Sequence, residues 1–153
     1  MSNNGGTTRR IIGGGLSGLA AAINFAKNDE SVEVHEARKD IGMQFHPNYQ
    51  VLLKESPETP ASESDAKSYL NRWGLNPQFQ YKDAKKFLCC TQKRDFTISL
   101  KEPLPLILRG GENSFERGLA KEAQDLGVNF HFKSRPKARP GDIMSAGSYR
   151  TDM

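Results

Sequence analysis

Apolar and polar positions along the first third of the chain change period in a way that predicts a strand, a helix and a second strand. Arg10 to Ile12 is a short apolar lead-in, the pattern of a strand buried in a parallel sheet. Past a glycine run, Leu16, Leu19, Ile23 and Ala26 recur at helical spacing and predict a helix to about Lys27. Asn28-Asp29-Glu30 breaks that period, and Ser31 to His35 (S-V-E-V-H) predicts the second strand, with Glu36 at its end. Further on, Leu104 to Arg109, Gly110 to Asn113 and Ser114 to Leu126 predict strand, turn and helix, with Gly127 placed as the helix stop. Val128 to Phe132 and the residues around Ile143 predict two more strands.

The middle of the chain is less regular. Ser62, with Asp65 three residues on, predicts a capped helix whose apolar face is Tyr69, Leu70 and Trp73 and which Gly74 ends. Phe79 to Tyr81, Phe87 to Thr91 and Phe96 to Leu100 are short β-like runs separated by charged turns.

Between the first strand and first helix stands Gly13-Gly14-Gly15-Leu16-Ser17-Gly18, a G-x-G-x-x-G. Gly13 permits a tight turn, Gly15 leaves room for a pyrophosphate at the backbone, and Gly18 lets the helix pack closely on the sheet. The helix start directs free N–H groups and partial positive charge at the phosphates. Glu36 lies 18 residues past Gly18, at the distance where a carboxylate accepts hydrogen bonds from a ribose 2′-hydroxyl. A glycine-rich turn alone is common; the strand, helix and acid around it make the dinucleotide reading specific. The acid disfavours a bound 2′-phosphate, so the adenosine of FAD or NAD fits better than that of NADP.

Composition narrows the classes. The chain has 153 residues, 36% apolar, with 22 Lys and Arg against 18 acids. This suits a globular domain or slightly more. The net charge of +4 is too small and dispersed to argue for nucleic acid. No run approaches the roughly 20 apolar residues of a transmembrane segment. Thr8-Arg9-Arg10 before an apolar stretch could pass for a twin-arginine export signal, but that leaves the glycine spacing unexplained. The only cysteines, Cys89 and Cys90, are adjacent, which favours buried free thiols in a reducing, cytoplasmic compartment. His35, His46 and His131 share no spacing, so no metal site is expected. His46, in the loop after the acid, has the sequence context of a plain loop residue rather than a catalytic one, and Lys133 to Arg139 that of a solvated basic connector rather than a phosphate or membrane patch.

The stretch I-I-G-G-G-L-S-G-L-A-A-A-I-N-F-A-K, with V-E-V-H-E-A-R-K-D-I-G after it, resembles the N terminus of the FAD-dependent oxidoreductases, a group that includes aromatic hydroxylases and geranylgeranyl reductases. In that group the acid is followed by a basic residue and soon a glycine, as Glu36, Arg38 and Gly42 are here; plain NAD dehydrogenases do not usually carry that extension. The resemblance covers 8–42 and 104–147, with the middle matched mainly from Gly42 to Leu53. It implies FAD as cofactor and a Rossmann-like α/β fold with an incomplete parallel sheet. Residues 1–42 and 104–153 would form a discontinuous FAD-binding domain, with 43–103 an α+β insertion contributing to a substrate domain. The cofactor-binding residues it implies are Gly13, Gly14, Gly15, Leu16, Ser17, Gly18, Glu36, Arg38, Gly42, Arg109 and Gly147, with no catalytic residue assigned. Arg109 matches a cofactor-contacting arginine by position, with Arg117 an alternative and an exposed strand-end arginine the plain reading. Gly141 to Gly147 (G-D-I-M-S-A-G) matches a strand ending beside the cofactor, but Ala146 stands where the family has Thr. The short link from Phe132 to Ile143 suits the geranylgeranyl-reductase-like branch, and so a lipid-like substrate, over a flavin monooxygenase. A non-catalytic or NAD-binding module is a rival of another class. A whole enzyme of this kind needs about 300 residues, and no second glycine-aspartate segment opens a helix here. The chain, ending at Thr151-Asp152-Met153, is therefore expected to be an N-terminal portion, inactive by itself.

Overall fold

The computed structural model describes residues 8–52 and 66–147. Strand β1 (Arg9–Ile12), helix α1 (Leu16–Lys27) and strand β2 (Val32–Glu36) form where the sequence pattern puts them. Strand β3 (Asn48–Val51), helix α2 (Ala66–Arg72), strands β4 (Tyr81–Cys90) and β5 (Asp95–Arg109), helix α3 (Phe115–Asp125) and strands β6 (Asn129–Phe132) and β7 (Ile143–Met144) follow.

Two sheets result. The first is wholly parallel, in the order β6-β2-β1-β7. The second is antiparallel, in the order β3-β5-β4. This is a Rossmann-like sheet joined to an α+β segment.

Alternation along the parallel strands decides which face is covered. Ile11, Val32 and Val34 point to one side and meet α1 through Leu19, Ala22 and Ile23, and α3 through Leu119 and Ala123, all essentially out of water. Complete burial of side chains such as Leu19 and Ile23 contributes about 1.5–3 kcal/mol each. The intervening residues Arg10, Glu33 and His35 point to the opposite face and remain partly exposed. Parallel sheets are commonly apolar on both faces; this one is apolar on one and mixed on the other, where the buried Ile12 shares the face with Arg10, Glu33 and His35.

Helix α3 starts at Ser114, whose hydroxyl accepts the Arg117 amide, and stops before Gly127 at φ +86°. Helix α1 starts at Gly15 with no side-chain cap, which leaves its first amides facing outward.

The middle of the chain departs from expectation in several places. The charged residues Lys82 to Lys86, read from sequence as a turn, lie inside β4. β4 is an edge strand, where lysines keep water at an otherwise open ladder. The runs on either side of Pro103 form a single strand, β5, so the domain boundary expected after Pro103 falls within it. The ladder to β4 is irregular between Ala84 and Lys86, opposite the stretch holding Pro103, whose nitrogen has no hydrogen to donate. Leu104 to Arg109 belongs to the antiparallel sheet rather than to the parallel one. Trp73, expected on the apolar face of α2, is half-exposed just past its end. Cys89 is half-buried and Cys90 exposed, not buried as expected, because the outer end of β4 pairs with β5 alone; both thiols are free. Ser62, Leu53 and Asp65, and the terminal Thr151, Asp152 and Met153, lie outside the described residues.

Candidate functional site

The carboxyl ends of β1, β2 and β7 converge on a cleft of ≈ 330 Å³, which is where open α/β sheets hold their ligands. Its floor is the turn from β1 into α1. Gly13 takes φ +114°, and a side chain there would run into the Ser145 carbonyl at 2.4 Å. A Cβ on Gly18 would stand 2.0 Å from the Gly13 carbonyl oxygen, so helix and turn touch backbone to backbone. A Cβ on Gly15 would meet nothing within 4 Å. Gly15 therefore does not serve internal packing. It keeps open the space in front of the uncapped helix start, where Leu16 and Ser17 complete the wall.

Glu36 forms the opposite wall. Its Oε2 accepts the Gly14 amide at 2.9 Å and its Oε1 the Arg38 amide at 2.8 Å. An ionised carboxylate offers about four lone-pair sites, so both oxygens keep capacity for a sugar diol. The Arg38 side chain lines the cleft and donates to Gln44 Oε1 at 3.1 Å. Gly147 closes the β7 side at φ +71°.

Of the residues singled out in the sequence, Gly13, Gly15, Leu16, Ser17, Glu36, Arg38 and Gly147 thus line one cleft. Gly14 and Gly18 stand just behind it: Gly14 packs on Ile41 and Glu36, Gly18 on the turn. Gly42 and Arg109 belong to a neighbouring group. Arg109 is buried, not an exposed strand-end residue; it pairs with the fully buried Glu116, bonds Gln50 and stacks on Phe45 at 4.3 Å. Gly42 faces the same Glu116. Arg117, the alternative, is exposed and pairs with Asp40. His46 is an exposed loop residue and is not part of the cleft lining.

The cleft also contains residues that the sequence pattern did not single out. Ser134 and Arg135, read as part of a solvated connector, form its rim, and Ser145 and His35 its base. Ser134 and Lys133 donate backbone amides to the carbonyls of Glu36 and Arg38, at 2.9 Å each, which brings the connector over the end of β2. The available signal was positional: ligand-contacting residues follow the carboxyl ends of parallel strands, and Ser134 and Arg135 stand two and three residues past the end of β6. Arg38, Arg135 and the α1 amides thus set positive groups around the cleft beside the Glu36 carboxylate.

Beside the cleft, Glu33 is held below the usual carboxylate range. Its hydrogen bond with His35 is the largest cause, opposed by partial burial and reinforced by the charges of His35, His131 and Arg10.

The family described as NAD(P)-binding Rossmann-like domain matches residues 11–55, the span of the glycine turn and Glu36. Among solved structures, 2-methyl-3-hydroxypyridine-5-carboxylic acid oxygenase is similar at TM-score 0.56 and 18% identity, over 85% of this chain and 32% of that one. The P. aeruginosa protein PqsL, solved with 2-aminobenzoylacetate, is similar at TM-score 0.57 and 12% identity, over 86% of this chain and 35% of its own. The fold is the one these solved structures share, built on a Rossmann-like dinucleotide-binding unit. A geranylgeranyl bacteriochlorophyll reductase-like protein from Thermoplasma acidophilum is similar at TM-score 0.50 and 16% identity, over 90% of this chain and 37% of that one. The chain thus spans about a third of the length of these structures. Among curated proteins no sequence matches. Among the described residues, no helix is long and apolar enough to cross a membrane.

Proposed function

We propose that this chain is the part of an FAD-dependent oxidoreductase that binds the adenosine and diphosphate of the cofactor. The observation that carries the proposal is the pairing of an open, uncapped helix start at Gly15 with a carboxylate, Glu36, across one cleft. The amides of Leu16 and Ser17 hold the diphosphate, Arg38 and Arg135 add positive charge at the rim, and Glu36 accepts the ribose hydroxyls. The site suits the group on the chemistry of its donors, with anion-binding amides and a sugar-binding acid where a dinucleotide needs them. When bound, the flavin ring supplies the redox chemistry, and the protein's part is to hold and orient it.

In its finer form the proposal assigns the whole protein to the geranylgeranyl-reductase-like branch, delivering hydride to a double bond of a lipid-like substrate. Support comes from the connector between β6 and β7, which contains no strand and so no meander of the hydroxylase kind. A flavin monooxygenase is the second reading, favoured by the similarity to the pyridine carboxylic acid oxygenase. Calorimetric titration of the chain with ADP, FAD and NADH tests the common core. Saturable ADP binding, with FAD bound more tightly than NADH, is expected; failure of all three to bind would refute it. Flavin reduction with and without aromatic substrates, measured on the protein with its flavin enclosed, separates the two finer readings.

A further inference from the structure

The sheet face opposite α1 and α3 holds a side-chain cluster that the dinucleotide cleft does not account for. Parallel pairing of β2 with β6 sets His35 beside His131, and their rings stack with centroids 4.7 Å apart and planes 15° from parallel. Two positions back along β2, Glu33 reaches the same face. Its Oε1 lies 3.1 Å from His35 Nε2, and its Oε2 3.5 Å from His131 Nε2. The other nitrogen of His35, Nδ1, lies 2.8 Å from Ser134 Oγ. That contact holds the ring and turns Nε2 toward Glu33, where it can ligate a metal on release of its proton; metal-ligating histidines commonly have their other nitrogen held in this way.

We infer that Glu33, His35 and His131 form a binding site for a divalent transition-metal ion of the zinc type. One donor atom from each residue lies within 4.8 Å of the others. Around a tetrahedral ion with bonds of about 2.1 Å, donor atoms stand about 3.4 Å apart. Both Glu33 distances are already close to that, so binding requires mainly that the two stacked rings splay. Two imidazoles and one carboxylate, with a fourth position left to water, suit zinc; calcium and magnesium prefer all-oxygen shells. His131 is exposed, which gives the ion a route from solvent. Arg10 competes for the carboxylate, with Nε 3.1 Å from Glu33 Oε1. However, its Nη1 also lies 3.2 and 3.1 Å from the two oxygens of Asp142, so an ion that displaces Arg10 leaves it paired. Glu33 and His131 are not part of the cleft lining, whereas His35 and Ser134 are, so the zinc site adjoins the cleft and is tested without nucleotide.

The test is calorimetric titration of zinc chloride, without nucleotide, into the full 153-residue chain at neutral pH. One saturable site is expected, with at least about a tenfold loss of affinity in both His131→Ala and Glu33→Gln. The double variant Cys89→Ser/Cys90→Ser, which removes the only thiols, and His46→Ala, which removes an exposed loop imidazole, are expected to retain the site. Circular dichroism identifies which variants are folded, and either ligand variant alone suffices. The inference is overturned if the wild-type chain shows no saturable zinc binding, if a folded ligand variant keeps wild-type affinity, or if the thiol variant loses the site.

Discussion

Oε2 of Glu36 accepts the backbone amide of Gly14 at 2.9 Å, so the acid that ends β2 is bonded directly to the turn that ends β1. The two halves of the proposed phosphate and sugar site are one hydrogen-bonded unit before any ligand arrives. Such preorganisation lowers the ordering cost of binding. Replacing Glu36 with Ala removes both the sugar acceptor and the brace on the turn. ADP affinity is expected to fall by the equivalent of about 1.5–3 kcal/mol, the range for hydrogen bonds to a charged group. Glu36→Gln, which keeps one acceptor oxygen, is expected to fall between the two in the same titration.

Gly15 and Gly18 should respond oppositely to substitution. Gly15 sits at φ −78°, ψ 179°, an extended conformation open to any residue, and faces empty space. Gly15→Val is expected to cost at most about 1 kcal/mol of stability, yet to weaken ADP binding at least tenfold by filling the phosphate space. Gly18→Ala forces a methyl against the Gly13 carbonyl and is expected to lose about 2–3 kcal/mol of stability. Urea unfolding alongside nucleotide titration distinguishes the two; equal stability losses would contradict these assignments.

Arg109 and Glu116 form a buried ion pair, and breaking it strands a charge. Arg109→Ala is expected to destabilise by about 3–5 kcal/mol, and Arg109→Met with Glu116→Leu to recover most of that. Because Arg109 is not part of the cleft lining, ADP affinity of the folded single variant is expected to be unchanged. A selective loss of ADP binding with stability preserved would instead make Arg109 a nucleotide contact.

Arg135, exposed at the rim, acts by charge across solvent. Arg135→Ala should weaken ADP binding by about 0.2–1 kcal/mol at low ionic strength, with the difference vanishing near 1 M salt, where the screening length is about 3 Å. An effect independent of salt would point to a direct, desolvated contact.

The parts of this protein that were legible in its sequence are those in which near neighbours determine the outcome. The glycine turn, the α1 face and Glu36 lie within one strand–helix–strand unit, and each was placed correctly. β4 was obscured because its lysines answer to an edge that exists only once β5 has paired with it. Arg135 looked like part of a solvated connector because its place over the cleft depends on the Ser134 and Lys133 amides reaching the carbonyls of Glu36 and Arg38. The two histidines of the sheet face share no useful spacing; only the β2–β6 register brings them together.

The long strand β5 has a practical consequence. From Asp95 to Arg109 it extends roughly 45 Å at the usual rise per residue. The hairpin end near Thr91 and Arg94 therefore lies far from Arg109 at the other end of the strand, and Cys90 is exposed beside it. With Cys89 changed to Ser, that single thiol becomes a native attachment point for a fluorophore. A dye held there can report ligand arrival, or the approach of another molecule, from a position that leaves the glycine turn and Glu36 untouched.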